Sequence, residues 1–248
     1  MKIGIIGVGM IGGVLARKLV AAGHEVRVAN SKGVEGVRAI ADEIGAEAVD
    51  VHGAVEGVDL IIISIPFPAV ANLPKDLLRD VPPAVPVIDT GNYYPGLRDP
   101  QIAEVDAGLP ESVWVSRQLG RPVIKAFNNI MFMSLANNGR PEGSPDRQAI
   151  AVAGDDAGAK RKVMDIVNEL GFDPVDGGPL EDSWRQQPLT PAYCCDFDAA
   201  TTRKGLAAAV RGEAPTLWGR WGERLQSLGS SPALADIVAV NRSLHPLD

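Results

Sequence analysis

A short β-branched run, Ile3 to Ile6, leads straight into Gly7-Val8-Gly9-Met10-Ile11-Gly12, and helical patterning follows from Ile11 to Ala22 before Gly23 stops it. A GxGxxG by itself is a weak signal. Placed after a strand and at the head of a helix it has a mechanical meaning. Gly7 permits the tight turn, Gly9 lets a pyrophosphate approach the backbone, and Gly12 allows close helix packing. The helix N-terminus then offers unpaired N–H groups to phosphates. Such a unit commits the chain to a parallel βαβ arrangement.

The alternation continues. Glu25 to Ala29 reads as a strand and Gly33 to Ile44 as a helix ended by Gly45. Leu60 to Ile65 is nearly all apolar, as a strand buried on both faces must be. Pro86 to Asp89 and Val123 to Phe127 are further strands. A later unit follows, with strand Ala149 to Ala153, a helix from Asp155 or Asp156 to Leu170, and strand Phe172 to Val175. The expected fold is α/β, a Rossmann-type doubly wound, mainly parallel sheet. Beyond about Gly178 the texture changes to polar turns and helix starts, Thr190-Pro191 and Ser231-Pro232 each reading as an N-cap followed by proline. The expected division is a nucleotide-binding domain over residues 1–180 and a small C-terminal helical layer over 181–248.

Composition narrows the function. The 248 residues carry 24 Lys and Arg against 31 Asp and Glu, a net charge of −7, so no basic footprint for nucleic acid is present. The two cysteines, Cys194 and Cys195, are adjacent, which fits neither CxxC redox chemistry nor a disulfide framework. They read as helix-borne packing residues. His24, His52 and His245 lack metal-ligand spacing, so no metal is expected. Met1 to Ala16 imitates a signal peptide, yet Arg17 and Lys18 sit where a cleavage region should be small and neutral. Leu60 to Val70 is too short to span a bilayer and contains Pro66 and Pro68. A cytoplasmic protein with no membrane partner is expected.

The end of the second strand bears on which dinucleotide binds. An NAD enzyme places Asp or Glu there to hold the ribose hydroxyls. This chain has Asn30-Ser31-Lys32 instead, with no carboxylate to repel a 2′-phosphate. NADP(H) is therefore the expected cofactor.

With these segments in view, the chain resembles the NADPH:coenzyme F-420 oxidoreductase family and the related N-terminal domain of the six-transmembrane metalloreductases. The resemblance runs through Gly7 to Gly12, Ser64-Ile65-Pro66-Phe67, Asp89-Thr90-Gly91-Asn92-Tyr93, Val123-Ile124-Lys125-Ala126-Phe127-Asn128, and Ala153-Gly154-Asp155-Asp156 with Lys160 to Asp165. It covers about residues 1–180. It implies NADP(H) bound across the sheet edge with a flat acceptor, a flavin or coenzyme F-420-like deazaflavin, near the nicotinamide. It further implies Ser31 and Lys32 at the 2′-phosphate, Ser64, Ile65 and Pro66 on the loop after the fourth strand, and Asn92 and Asn128 near the nicotinamide.

No side chain stands out as catalytic. Lys125 and Asn129 match the KxxxN spacing of β-hydroxyacid dehydrogenases, but Lys125 ends an apolar strand, so the two side chains should diverge. Hydride transfer needs alignment and water exclusion more than a protein acid, since the cofactor carries the chemistry. Trp184, Gln187 or Tyr193 is expected to border the acceptor, a small molecule, with a domain-interface role for Trp184, Arg185 and Gln187 as the alternative, and the helical tail is placed to form a homodimer. Two other readings remain: a reductase of small carbonyls or imines with a donor such as Tyr193, and a non-catalytic NADPH-sensing module.

Overall fold

The computed structural model describes residues 1–247. One sheet of eight strands holds it together, in the order β3-β2-β1-β4-β5-β6-β7-β8. These are β1 (Lys2–Ile6), β2 (Glu25–Ala29), β3 (Glu47–Ala48), β4 (Leu60–Ile63), β5 (Val87–Asp89), β6 (Ile124–Lys125), β7 (Ala149–Ala153) and β8 (Asp173–Gly178). Every neighbouring pair is parallel except β6 with β7, which run antiparallel with Lys125 opposite Ala153.

The helices are α1 (Met10–Ala21), α2 (Gly33–Ile44), α3 (Ala103–Asp106), α4 (Glu111–Leu119), α5 (Phe132–Asn137), α6 (Ala157–Glu169), α7 (Ala199–Ala208), α8 (Trp218–Ser227) and α9 (Leu234–Leu244). Strand β4 shows why they cover both faces. All four of its residues are buried, with Leu60 and Ile62 facing one core and Ile61 and Ile63 the other. The first core takes the apolar stripes of α1, α2 and α6, such as Val37, Ala41 and Ile44 at helical spacing. The second packs Phe67 against Tyr93 and against Trp114 of α4. Helix α2 ends as its sequence predicts, with Gly45 left-handed at φ 81° and its N–H donating to Ala41 O. Helix α6 is capped by Asp156, whose carboxylate accepts from the Ala159 N–H at 2.6 Å.

Several expected boundaries move. The strand expected over Val123 to Phe127 keeps only Ile124–Lys125, because Phe127 turns the chain through a left-handed φ of 61°. Strand β8 runs past Val175 to Gly178 and tolerates Pro174 because it is the sheet's outer strand. No helix starts at Thr190-Pro191. Thr190 closes a turn onto Gln187 O, and Leu189, Cys194 and Asp196 all have φ near +50° to +63°, which a helix cannot accommodate. Cys194 and Cys195 therefore lie in a buried loop rather than on a helix, and both are free thiols. The next helix, α7, begins after Asp198, which caps it by accepting from Thr201 N. Ser231-Pro232 precedes the last helix by two residues, and α9 starts behind Ala233 with no side-chain cap.

Residues after Gly178 are wound into the sheet. The Gln186 amide, fully buried, donates to Ala151 O of β7 at 3.0 Å and to Asn128 Oδ1 at 2.9 Å. Asn241 of α9 donates to Cys194 O, and the His245 ring bonds Leu189 O. Replacing Gln186 by Ala leaves two buried acceptors without donors. It should destabilise the protein by about 2–4 kcal/mol, at about 1–3 kcal/mol per orphaned group. Urea unfolding measures this, and a midpoint close to wild type would show that the tail is anchored elsewhere.

Candidate functional site

The carboxyl ends of β1, β2 and β4 open onto a cleft of about 800 Å³. Open α/β sheets bind ligands at this edge. Nine of the residues expected at a dinucleotide line it: Gly7, Val8 and Gly9, Asn30, Ser31 and Lys32, and Ser64, Ile65 and Pro66. Sequence reading missed the rest of the wall, notably Asp50 and Val51 after β3 and Asn72, Leu73 and Pro74 after the turn that follows β4. Irregular segments carry those residues, so no periodicity marks them.

The glycine loop fits a bound pyrophosphate. Gly7 is left-handed at φ 99°, and a Cβ there would lie 2.2 Å from Ser64 O. A Cβ on Gly12 would lie 2.0 Å from Gly7 O, so the helix can sit this close only without a side chain. A Cβ on Gly9 meets nothing within 4 Å, so this position faces open cleft, where a ligand can approach the backbone. Gly9 is also the N-cap of α1, with no side-chain cap and no acid in the first turn. Met10, Ile11 and Gly12 do not line the cleft, and the Met10 side chain is exposed. What they can offer a phosphate is backbone N–H groups at the positive end of the helix.

At the other end of the cleft Asn30 braces its own loop. Its Oδ1 accepts from Lys32 N at 2.8 Å and its Nδ2 donates to Gly36 O at 3.1 Å. Ser31 and Lys32 are exposed at the rim. Arg38, a further candidate for a 2′-phosphate, is forked onto Glu35 on the helix surface.

Asn92 and Asn128 come together, but beside the cleft rather than in its wall. Asn128 Nδ2 donates to Asn92 Oδ1 at 3.1 Å and to Gln186 O at 2.7 Å, while Asn92 Nδ2 donates to Asn128 O at 2.9 Å. Beneath them lie Asp89, Glu111 and Lys125, all buried. Lys125 Nζ donates to Gly91 O at 2.8 Å and to Glu111 Oε2 at 3.3 Å, with Asp89 Oδ2 3.7 Å away. Asp89 accepts from Gly91 N and from the Ser112 hydroxyl. Asn129 instead donates to Ala192 O, so the KxxxN pair shares no partner. Lys125 is sealed from any substrate.

Of the residues expected to border an acceptor, Gln187 accepts from Glu111 N, and the Tyr193 hydroxyl is buried against that of Tyr94. Trp184 lies under the Arg211 guanidinium. A cluster that sequence reading missed stands next to Asn92. Arg98 stacks 4.7 Å over the Tyr94 ring and donates to Asn92 O, while Trp218 meets Tyr94 edge-on at 5.7 Å.

Burial raises the Glu111 carboxyl from 4.5 to about 7, against the opposing pull of Lys125. Its folded value exceeds its unfolded one, so its stabilising contribution is complete below about pH 4.5 and is lost as pH rises through 7. The loss should be on the order of 3 kcal/mol. It should appear as the stability difference between wild type and Glu111→Gln, followed by urea unfolding from pH 4.5 to 8. The glycines give a second contrast. Gly12→Ala should cost about 1–3 kcal/mol through overpacking. Gly9→Ala should melt close to wild type yet weaken NADPH by about ten-fold or more, because its methyl occupies space that only the ligand needs. Thermal melts and NADPH fluorescence titrations separate the two.

Comparison with known proteins bears on the family. Residues 2–93 match the family of NADP oxidoreductases, coenzyme F-420-dependent. Over 113 residues the chain is 45% identical to the protein YjhV of Escherichia coli (strain K12), covering 44% of this chain and 80% of YjhV. The solved structure of hypothetical protein SMa0349 from Sinorhizobium meliloti is 29% identical, with a TM-score of 0.62 over 75% of this chain and 90% of that one. A candidate F-420-dependent NADP-reductase from Arthrobacter sp. FB24 is 19% identical, with a TM-score of 0.59 over 93% of this chain and 96% of its own, a likeness of fold alone. The glycine loop, the absence of a carboxylate after β2 and these matches converge: the chain belongs to the family of coenzyme F-420-dependent NADP oxidoreductases and is an NADP-dependent oxidoreductase.

Proposed function

We propose that the chain transfers a hydride between NADP(H), held in the cleft, and a flavin or coenzyme F-420-like deazaflavin held at the Asn92–Asn128 edge with residues 181–248 completing the site. The observation that carries this reading is the half-buried Tyr94–Trp218 pair with Arg98 over it, beside Asn92. Such a group of rings suits a flat acceptor, which gains most from offset or edge contacts with other aromatics. NADP(H) supplies the hydride chemistry. The protein residues align and shield: Gly7 to Gly12 cradle the pyrophosphate through backbone, Ser31 and Lys32 face the 2′-phosphate, and Ser64 to Pro66 line the cleft toward β5. Lys125 is sealed, so its amine does not act on the substrate.

The Tyr94–Tyr193 hydroxyl pair favours a second reading, reduction of a small imine or carbonyl. Burial pushes both phenols well up, so both stay protonated at neutral pH. The Tyr94 ring, only partly buried, would present the donor. An acceptor panel decides between the two. Bleaching of flavin or F-420 by NADPH supports the first reading, whereas imine-dependent NADPH oxidation that is lost in Tyr94→Phe supports the second.

Cofactor choice is tested by paired titrations. Lys32→Ala should weaken NADPH about ten-fold or more while hardly touching NADH, since one charge-assisted bond contributes about 1.5–3 kcal/mol. The loss should shrink with added salt. Asn30→Asp should penalise NADPH by repulsion. Equal affinity for both nucleotides in wild type would sink the assignment. In the cell the reading places the enzyme in the reducing cytoplasm, where its two free cysteines stay thiols. It also makes the protein a homodimer through the C-terminal helices, because α8 buries none of its own residues fully. Light scattering should then give twice 26.1 kDa.

A further inference from the structure

Asp89, Glu111 and Lys125 form the most highly charged buried cluster of the sheet edge, each no more than 2% exposed. One ammonium faces two carboxylates, so the cluster is neutral with Glu111 protonated and carries −1 with it ionised. The charged groups facing Glu111 are Lys125 from β6 and Asp89 from β5. The loop after β5 gives it the Tyr93 N–H and the neutral Tyr94 phenol, and the tail gives the neutral Gln187. Arg98 lies beyond Tyr94, paired with Asp99. Among the described residues no second cation balances Glu111, and burial holds its proton up to about pH 7.

The cluster also touches the cleft through one residue. Thr90, between Asp89 and Gly91, donates its hydroxyl to Ser64 Oγ at 3.0 Å, and Ser64 lines the cleft wall. This side of the cleft is the end farthest from Ser31 and Lys32 in strand order, since β4 and β5 lie on the opposite side of β1 from β2. A dinucleotide whose 2′-phosphate meets Lys32 and whose pyrophosphate meets Gly9 therefore directs its nicotinamide toward Ser64.

We propose that this cluster is a proton-linked sensor of the nicotinamide's charge, with Glu111 as the group that titrates. The ring is a cation in NADP⁺ and neutral in NADPH. Binding NADP⁺ favours the ionised carboxylate, so Glu111 releases its proton to solvent; binding NADPH leaves the proton in place. By linkage, the affinity for NADP⁺ then rises with pH relative to that for NADPH. Glu111 acts here as a positioning residue for charge and takes no part in the transfer itself. The inference rests on the cleft being the NADP(H) site with the orientation just given.

Isothermal titration in two buffers of different ionisation enthalpy counts the protons released, and it needs no acceptor. The 2′-phosphate titrates near pH 6 in both nucleotides. Its contribution therefore cancels in the difference between NADP⁺ and NADPH. In wild type at pH 7, NADP⁺ should release a fraction of a proton more than NADPH, and the ratio of NADP⁺ to NADPH affinity should rise about 3- to 10-fold from pH 6 to 8. Glu111→Gln should abolish both effects while still binding both nucleotides. Equal proton counts for the two nucleotides in wild type overturn the proposal, as does an excess that persists in Glu111→Gln. Failure of either nucleotide to bind overturns the cofactor reading itself, which is a different result. Should the Gln variant not fold, ¹³C NMR of wild-type glutamate carboxyls serves instead. One resonance titrating near 7 must move to lower pH with NADP⁺ and stay put with NADPH.

Discussion

Lys125 is where the two halves of the sheet are tied together. Its strand pairs with β5 in parallel and with β7 in antiparallel, so the reversal of sheet direction occurs at this residue. Its ammonium, with no exposure to solvent, reaches across to Gly91 and Glu111. An isolated buried charge costs several kcal/mol in lost hydration, which only partners of good geometry can offset. The chain meets that demand from β5, from α4 and from the loop leading to Asn92. Because Gly91 is held at its N–H by Asp89 and at its C=O by Lys125, the backbone leading to Asn92 is fixed from beneath.

The cleft solves a different electrostatic problem. A chain of net charge −7 must receive a polyanion. Surface charges are screened within about 8 Å at physiological ionic strength, so the local arrangement outweighs the total. Helix α1 has no acid in its first turn, and Lys32 stands at the rim with no carboxylate at residue 30 or 31. Among the described residues Asp50 is the cleft's one acidic wall residue, and its Oδ1 is engaged by the Gly53 N–H. The opening is thus built to tolerate phosphate even though the rest of the molecule repels it.

The segment after Gly178 is neither a linker nor a detachable lid. Leu189, Ala192, Tyr193, Cys194 and Cys195 are buried, and burial pushes the Cys195 thiol up to about 12, which leaves it unreactive as a nucleophile. The left-handed residues in this stretch let a loop, rather than a helix, follow the contour of β7 and β8. Its Gln186 side-chain amide donates to the Ala151 carbonyl of β7.

Much of the sheet is written in local pattern. The apolar run of β4, the cap at Asp156 and the stop at Gly45 each rest on interactions within a few residues, and these are legible without a fold. So is the glycine loop, because Gly7, Gly9 and Gly12 do their separate jobs within one βα turn. The sequence by itself therefore determined the parallel core, the nucleotide edge and the absence of an acid after β2. It misread Thr190-Pro191 as a helix start, since the left-handed φ values that break that stretch are imposed by packing against β7 and α9. Nor did it show that Asp89, Glu111 and Lys125 meet, or that Tyr94 and Trp218 do. Those partners are separated by between 14 and 124 positions in the chain and are brought together only by strand order and helix placement. Tertiary structure decided the charge cluster and the aromatic platform because both depend on desolvation, which no residue possesses until the others surround it.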